Sequence, residues 1–448
     1  MKSKNNGSTL NCLTRRMPAL RGGLAMGGVV GFLVFSAANA QQVQQGGSTG
    51  STFTTPIGAT LVPTNPAIPI PNPGLSYALS YPNQRGFVRA EPFFIYPTLR
   101  VGVGHVDNLN YSKDNRLSSS VLQLSPKVTA ETKGGGQTHS LTYQGLYTRY
   151  QNSSADNFED HEIIARTKNQ FTARADLSGQ AYYLRRSEVR GTFARASNLA
   201  PDQFNAFGAN GTFGYGAQAA QGRFEIDLGV TDKTYQNNRS FTQALDVSSF
   251  NLAGRFLYRL TPRMSALAEL RDTEINYKTS GFDNAERRAL FGLSLDAGAA
   301  ISGTAKIGIV NKNFKDSAIK DYTIPAAEVA VRWTPLTYSF VDLIARRVPQ
   351  DTNGVLGGSS AVDNVLALAW WHNWQSYVGS YVSVSYVDRS YRGISQTDRY
   401  TGVNLGGYFD VRSWLRLSLD YSLSNRASSD STSDYKRNAL MFTVGATL

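Results

Sequence analysis

The feature that most constrains this chain is a polar–apolar alternation with a period of two residues, which recurs from about residue 93 to the end. Between Leu415 and Ser424, every odd position is apolar and every even position is polar. Because successive side chains of a strand point to opposite faces, such a segment predicts a β-strand with one apolar face. We count about 18 such segments, with 16 as the alternative, so the pattern predicts an all-β chain.

The connections between these segments alternate in length. Short connections fall at 133–136, 260–263, 334–337 and 411–414, whereas long polar ones fall at 106–116, 151–161, 191–203, 235–245, 349–360 and 425–435. Short turns at one end and long loops at the other are typical of a transmembrane antiparallel β-barrel. A soluble β-sandwich or propeller would not require this alternation. We therefore predict a barrel in the outer membrane, with both termini and the short turns in the periplasm.

The first 40 residues have the parts of a secretory signal peptide. A basic stretch is followed by an apolar run from Leu24 to Phe35 and by small residues that include Ala38 and Ala40. We predict cleavage after Ala40, so that residues 1–40 are the signal peptide. An uncleaved N-terminal membrane anchor is the alternative, but the apolar run is short of the roughly 20 residues that a spanning helix needs.

Cysteine content and charge argue against several protein classes. The single cysteine, Cys12, lies in the predicted leader, so we expect no disulfide and no cysteine-based metal site in the exported chain. The formal net charge is +12, and cleavage would remove five basic residues and no acidic ones. The remaining surplus is moderate and export separates it from nucleic acid, so we expect no nucleic-acid partner. We also expect no cofactor.

The region before the barrel has a different composition. Residues 41–87 are rich in Gln, Gly and Pro, and they hold seven prolines, which are Pro56, Pro63, Pro66, Pro69, Pro71, Pro73 and Pro82. Such a stretch cannot build a strand ladder, so we predict a disordered periplasmic segment. It could serve as a spacer, a tether, a partner-binding segment or a partial plug. The predicted barrel domain then spans residues 88–448.

The polar face of each predicted strand should line the lumen. Its basic residues would be Lys127, Arg223, Arg255, Arg259, Arg271, Lys306, Lys312, Arg332, Arg346, Arg389, Arg416 and Arg437. The predicted inward acids are fewer: Glu225, Asp227, Glu269, Asp296, Glu328, Asp342 and Asp420. Two interpretations stay open, a salt-bridged interior and a basic conduit for anions or acidic glycans. Four tyrosines, Tyr143, Tyr183, Tyr381 and Tyr408, would also point inward and could stack on sugars.

The sequence shows no clear catalytic motif. The four histidines, His105, His139, His161 and His372, fall near strand ends, and no His-Glu-x-x-His motif occurs. We interpret them as rim residues and predict that the chain is not an enzyme. All five tryptophans map to the periplasmic ends of strands, where aromatic residues anchor barrels in the interface.

The last strand carries a further signal. Leu440, Phe442, Val444, Ala446 and Leu448 alternate up to the final residue. This pattern resembles the C-terminal assembly signal of bacterial outer-membrane barrels, and it implies the barrel-assembly machinery and outer-membrane lipid as partners. Such signals usually end in an aromatic residue, whereas this chain ends in leucine.

The segment from Tyr96 to Asn108 resembles the first strand of a family of outer-membrane β-barrel porins. The proline at Pro97, the Gly-x-Gly at 102–104 and the Asp-Asn at 107–108 carry the resemblance, which extends loosely over residues 88–448. Members are frequently encoded with exopolysaccharide or capsule synthesis genes. The resemblance implies a channel or accessory for export of an extracellular, acidic polysaccharide. A diffusion porin for small anions and a structural or adhesive barrel are the alternatives, and the oligomeric state stays open.

Overall fold

The computed structural model describes residues 88–90, 92–188, 200–217, 219–279, 281–295, 300–352 and 358–447, with side chains from residue 92 onward. These residues form nineteen strands. A short β1 (Val88–Ala90) is followed by β2 (Phe93–Val106), β3 (Ser119–Gly134), β4 (Gln137–Tyr150), β5 (Phe158–Gln170), β6 (Ala175–Glu188), β7 (Asp202–Tyr215), β8 (Gly222–Tyr235), β9 (Val247–Thr261), β10 (Met264–Tyr277), β11 (Asn284–Leu295), β12 (Ile301–Phe314), β13 (Tyr322–Leu336), β14 (Ser339–Asp351), β15 (Ser360–Gln375), β16 (Val378–Arg392), β17 (Thr397–Arg412), β18 (Leu415–Ser428) and β19 (Tyr435–Thr447).

Strands β2 to β19 close into a barrel. Each pairs with the next in antiparallel fashion, and β19 returns to pair with β2 from Thr98↔Thr447 to Val106↔Ala439. The predicted all-β antiparallel barrel of about 18 strands is therefore confirmed, since β1 adds only a short hairpin onto the first residues of β2. Closure leaves no unpaired sheet edge, which a barrel in lipid requires.

The two ends of the barrel differ as predicted. The turn between β9 and β10 is only two residues long, and it lies at the same end as the start of β2 and the end of β19. At the opposite end, the connection between β8 and β9 is longer and holds a short helix α1 (Arg239–Thr242). The short-turn end is thus the periplasmic end, and the long loops are extracellular.

The outer surface is apolar and the inner surface largely polar. Along β9, the exposed Phe250 and Leu252 alternate with the buried Asn251 and Arg255. The same alternation on β19 turns Leu440, Phe442, Val444 and Ala446 outward. No helix of the described ranges is long and apolar enough to cross a membrane.

The tryptophans gather at the periplasmic end, as the sequence predicts. Trp333, Trp370, Trp374 and Trp414 are exposed on the outer surface, where they can anchor the barrel in the interface. Trp371 is the exception in direction, because it points inward and stacks on Phe340.

Several predictions concern residues outside the described ranges. The signal peptide of residues 1–40 with its cleavage after Ala40, the periplasmic segment 41–87, the inward Asp296 and the terminal Leu448 all belong to this group.

Candidate functional site

The inner face of the barrel is the candidate site, and the structure brings the predicted basic residues together there. All twelve occupy inward positions: Lys127 on β3, Arg223 on β8, Arg255 and Arg259 on β9, Arg271 on β10, Lys306 and Lys312 on β12, Arg332 on β13, Arg346 on β14, Arg389 on β16, Arg416 on β18 and Arg437 on β19. What differs among them is the partner that each side chain meets.

A network of ion pairs crosses the inner face from β8 to β13. Arg255 lies at its centre and bonds Glu225, Asp227 at 2.7 Å and Glu269 at 3.1 Å. The same Glu269 accepts from Lys306 at 3.3 Å. The network therefore links one cation to three carboxylates on its two neighbouring strands, β8 and β10.

The network continues through Glu328 on β13. Its carboxylate accepts from Lys306 at 2.6 Å and from Arg288 at 2.7 Å, and Arg288 also bonds Glu286. Lys312 reaches Asp351 at 3.0 Å. Each of these cations lies beside a carboxylate, as charges withdrawn from water require.

Single pairs continue the pattern from β13 to β18. The guanidinium groups of Arg332, Arg389, Arg416 and Arg426 bond Asp342, Asp363, Asp410 and Asp398 respectively, at 2.5–2.8 Å. The pair between Arg389 and Asp363 is bidentate and almost fully buried. We call the inward-facing charges of β8 to β18 the paired wall. Its opposite charges lie side by side, so their fields largely cancel along the lumen.

The inner face of β2 to β5 is different. Lys127 on β3 lies opposite Thr98 of β2 and Gln144 of β4, and neither partner carries charge. Arg100 on β2 and Arg166 on β5 lie close enough to repel its ammonium group. Within the described ranges, no carboxylate lies at salt-bridge distance from Lys127. We call Arg100, Lys127 and Arg166 the basic wall.

The carboxylate nearest in register to Lys127 is already engaged. Gln144 pairs with Glu162 on β5, and Glu162 bonds Arg186. The local surplus of positive charge around Lys127 is therefore not neutralised by this acid. A local surplus of one sign of charge on a concave surface attracts counter-ions.

The inner face holds charged residues beyond the predicted ones. Further inward cations are Arg100, Arg166, Arg186, Lys233, Arg288 and Arg426, and further inward acids are Glu162, Glu188, Glu286, Asp363, Asp398 and Asp410. Inward acids remain fewer than inward cations in these sets, yet most of the cations lie beside a carboxylate. The polar–apolar alternation within each strand predicts the inward position of these residues. Their ion pairs depend on the register between strands, which the alternation does not give.

The extracellular half of the inner face also holds apolar clusters that the predicted polar lumen did not include. One contains Val106, Val121, Leu146, Phe158 and Met441, and the loop residue Leu109 packs into it. A second contains Ile164, Tyr182, Phe204 and Tyr235, with Leu245 from the loop before β9. Extracellular loops thus pack against the inner wall through apolar contacts.

Two of the four predicted inward tyrosines point the other way. Tyr381 and Tyr408 face inward, and Tyr381 bonds Asp420 at 2.5 Å. Tyr143 and Tyr183 lie on the outer surface of β4 and β6. A tyrosine is apolar at its ring and polar at its hydroxyl, so alternation alone does not assign its face.

The histidines lie apart from one another on the outer surface. His161 bonds the hydroxyl of Tyr143 at 3.0 Å, and His139 bonds that of Thr167 at 2.9 Å. His105 and His372 lie on β2 and β15. Among the described residues, no group of three or more His, Cys, Asp or Glu could hold a metal ion.

In the extracellular loops, local hydrogen bonds lower the pKa of two carboxyl groups. The hydroxyl and backbone N–H of Thr432 donate to Asp430 and hold the pKa of that carboxyl below its ordinary value. The backbone N–H of Phe314 and the amide of Asn313 lower the pKa of Asp321 in the same way. Both carboxylates thus stabilise tight loops.

Solved outer-membrane proteins show similarity to this chain at low sequence identity. OpdK from Pseudomonas aeruginosa is 12% identical, with 81% of this chain and 100% of that chain covered at a TM-score of 0.44. OccK3 from the same organism is 14% identical, with 79% and 96% covered at 0.45. OccAB4 from Acinetobacter baumannii is 9% identical, with 79% and 98% covered at 0.44. Similarity at this level says nothing about what this chain transports.

No curated protein matches this chain. A family model does, and its description is "Putative beta-barrel porin 2". The match runs over residues 86–448, which is the whole of the barrel described above. The chain therefore belongs to the putative beta-barrel porin 2 family, and it is a porin-like β-barrel channel of the outer membrane.

Proposed function

We propose that this protein is a conduit that favours negatively charged, hydrophilic solutes. The observation that carries the proposal is the position of Lys127 in the basic wall: it lies beside Arg100 and Arg166, and among the described residues no carboxylate is at salt-bridge distance from Lys127 itself. The paired wall contributes little net field, so the basic wall sets the sign of the lumen potential. Barrels of 16 to 18 strands enclose an aqueous channel that such a potential can bias.

The experiment is single-channel recording of refolded residues 41–448 in a planar bilayer, with a salt gradient across it. We expect steady openings whose reversal potential has the sign of anion preference. The matched control is Arg399→Gln, which removes an outward-facing cation and should leave the reversal potential unchanged. Cation preference, or a folded barrel without conductance, would contradict the proposal.

Export of an acidic polysaccharide is the narrower form of the proposal, and the family resemblance of the first strand favours it. Carboxylates repeated along such a polymer fit a cationic surface. We expect oligogalacturonate to block the channel when added on the periplasmic side and neutral maltodextrin to leave it open. If neither polymer blocks a channel that still prefers anions, polysaccharide export is contradicted while the anion preference stands.

The same recordings test whether residues 41–87 act as a partial plug. A variant that lacks residues 41–87 should conduct more than residues 41–448 if that segment obstructs the lumen. Equal conductance of the two proteins contradicts the plug and favours a spacer. A purely structural or adhesive barrel would show no conductance with or without residues 41–87.

A further inference from the structure

The inner face of β4 to β7 holds, in its periplasmic half, a group of uncharged polar side chains around two cations. These residues form two rows, and within each row they pair in register from one strand to the next. One row contains Ser140, Arg166, Gln180 and Asn210, and the other contains Thr138, Lys168, Ser178 and Thr212. We call these eight residues the polar patch.

The polar patch is accessible from the lumen. Seven of its members are half-buried, and Lys168 is exposed. Several inward hydroxyl and amide groups on other strands are instead buried and bond one another. Thr273 donates to Asn251 at 3.1 Å, and Asn404 donates to Ser383 at 2.9 Å. The polar patch therefore presents to the lumen the kinds of group that those strands withdraw from it.

Most hydrogen-bonding groups of the polar patch are unused. Within the described ranges, the side chains of Ser140, Gln180 and Asn210 bond no other group. The Nδ2 of Asn210 is buried, so a ligand oxygen within its reach would satisfy a costly unpaired donor. Thr212 differs, since its hydroxyl donates to Asp227 at 2.7 Å. A side-chain amide both donates and accepts hydrogen bonds, which matches the hydroxyl groups of a sugar ring.

Lys168 supplies an available charge within the polar patch. No carboxylate of the described ranges lies at salt-bridge distance from its ammonium group. The acids at the border of the patch are engaged elsewhere, because Glu131 bonds Lys133 at 3.0 Å and Asp176 bonds Arg223 at 2.8 Å. An anion in the lumen can therefore pair with Lys168 without displacing a carboxylate of the barrel.

The spacing of the polar patch favours a ligand that carries charge and hydroxyl groups together. Neighbouring strands lie about 4.8 Å apart, and residues two apart on one strand lie about 7 Å apart. Cations and uncharged polar groups thus alternate over distances that one sugar ring and its substituents can span. A uronic acid carries a carboxylate and several hydroxyls on one ring, whereas an inorganic anion would use only the cation.

We infer that the polar patch binds uronic-acid residues of an oligosaccharide. The carboxylate contacts Lys168 or Arg166, and the ring hydroxyls bond the amides of Gln180 and Asn210. This inference rests on the proposed conduit, and it names the residues that distinguish a sugar acid from other anions. The location in the periplasmic half of the lumen fits a polymer that enters from the periplasm.

The test is the affinity of refolded residues 41–448 in detergent for two polyanions, measured by isothermal titration calorimetry. Oligogalacturonate carries carboxylates and ring hydroxyls, whereas polyglutamate of equal charge carries carboxylates alone on its side chains. We expect the double variant Gln180→Leu with Asn210→Leu to weaken oligogalacturonate binding about ten-fold, because two uncharged hydrogen-bonding side chains are lost. The affinity for polyglutamate should be the same in the double variant and the unchanged protein.

Two further variants separate recognition of charge from recognition of hydroxyls. Lys168→Gln should weaken the binding of both polyanions about five-fold, since each pairs a carboxylate with this cation. Asn311→Leu is the matched control, because it removes an outward-facing amide of β12, and it should weaken neither. Heat-modified electrophoretic migration verifies that each variant is folded.

Three outcomes would overturn the inference: unchanged affinity for oligogalacturonate in the double variant, equal losses there for both polyanions, or a loss in Asn311→Leu. Binding in detergent does not require a lumen that is open from end to end. A barrel that binds oligogalacturonate as expected but does not conduct would therefore contradict the conduit and support the polar patch. An anion-preferring channel whose double variant binds oligogalacturonate normally would contradict the polar patch alone.

Discussion

The two sides of the lumen carry the same kinds of charged residue, but these residues have different effects. The paired wall places most of its cations beside a carboxylate, as Arg255 lies beside Glu225, Asp227 and Glu269. The basic wall places Lys127 beside two arginines and uncharged partners. The difference teaches that inward charge can connect strands or can create a potential. Which of the two it does depends on the neighbouring strand.

The largest effect should come from the centre of the paired wall. Arg255→Met removes the cation that three buried carboxylates share, and we expect it to lower the free energy of unfolding by about 3–5 kcal/mol. Equilibrium unfolding in urea, followed by heat-modified migration, measures the loss. Lys127→Met is the control, since no carboxylate loses a partner there. Equal free energies of unfolding for Arg255→Met and Lys127→Met would contradict the different roles inferred for the paired wall and the basic wall.

A smaller loss, about 3 kcal/mol, is expected for Asp363→Asn, because it leaves the buried Arg389 guanidinium without its carboxylate. The double variant Asp363→Leu with Arg389→Met should recover most of that loss, since both charges leave together. The same unfolding assay compares the single and double variants. A double variant as unstable as the single one would show that the pair stabilises the barrel beyond mutual compensation.

On the basic wall, charge removal should change selectivity more than stability. Lys127→Gln is expected to lower the anion-to-cation permeability ratio up to about five-fold, which corresponds to about 1 kcal/mol for one charge in an aqueous setting. The free energy of unfolding should change by less than that amount. The reversal potential in a salt gradient provides the ratio. An unchanged permeability ratio in Lys127→Gln would mean that residues other than Lys127 determine the selectivity.

The smallest effect is expected on the outer surface. Arg399 and Asp388 form an exposed pair with atoms 3.7 Å apart, and such pairs contribute about 0–1 kcal/mol. Arg399→Gln should therefore leave both stability and selectivity near those of the unchanged protein. A clear shift in reversal potential would mean that distant outward charge also acts on the lumen.

Strand boundaries show where sequence patterning is weakest. The alternation predicts a strand at 162–174, whereas β5 runs from Phe158 to Gln170. The offset arises because Glu159 and His161 are polar residues on the outward face, so the strand extends beyond its apolar part. Tyr143 was assigned to the wrong face for a related reason, since its hydroxyl and its ring suit different surroundings.

The sequence by itself determined the barrel, the number of its long strands and the inward position of all twelve listed cations. It could do so because a period of two is a local property of each strand, and turn length is a local property of each connection. Only the tertiary structure decided which cations are neutralised. Lys306 meets carboxylates on β10 and β13, whereas Lys127 meets an uncharged residue on each neighbouring strand. Register between strands sets these encounters, and register arises from closure of the whole sheet.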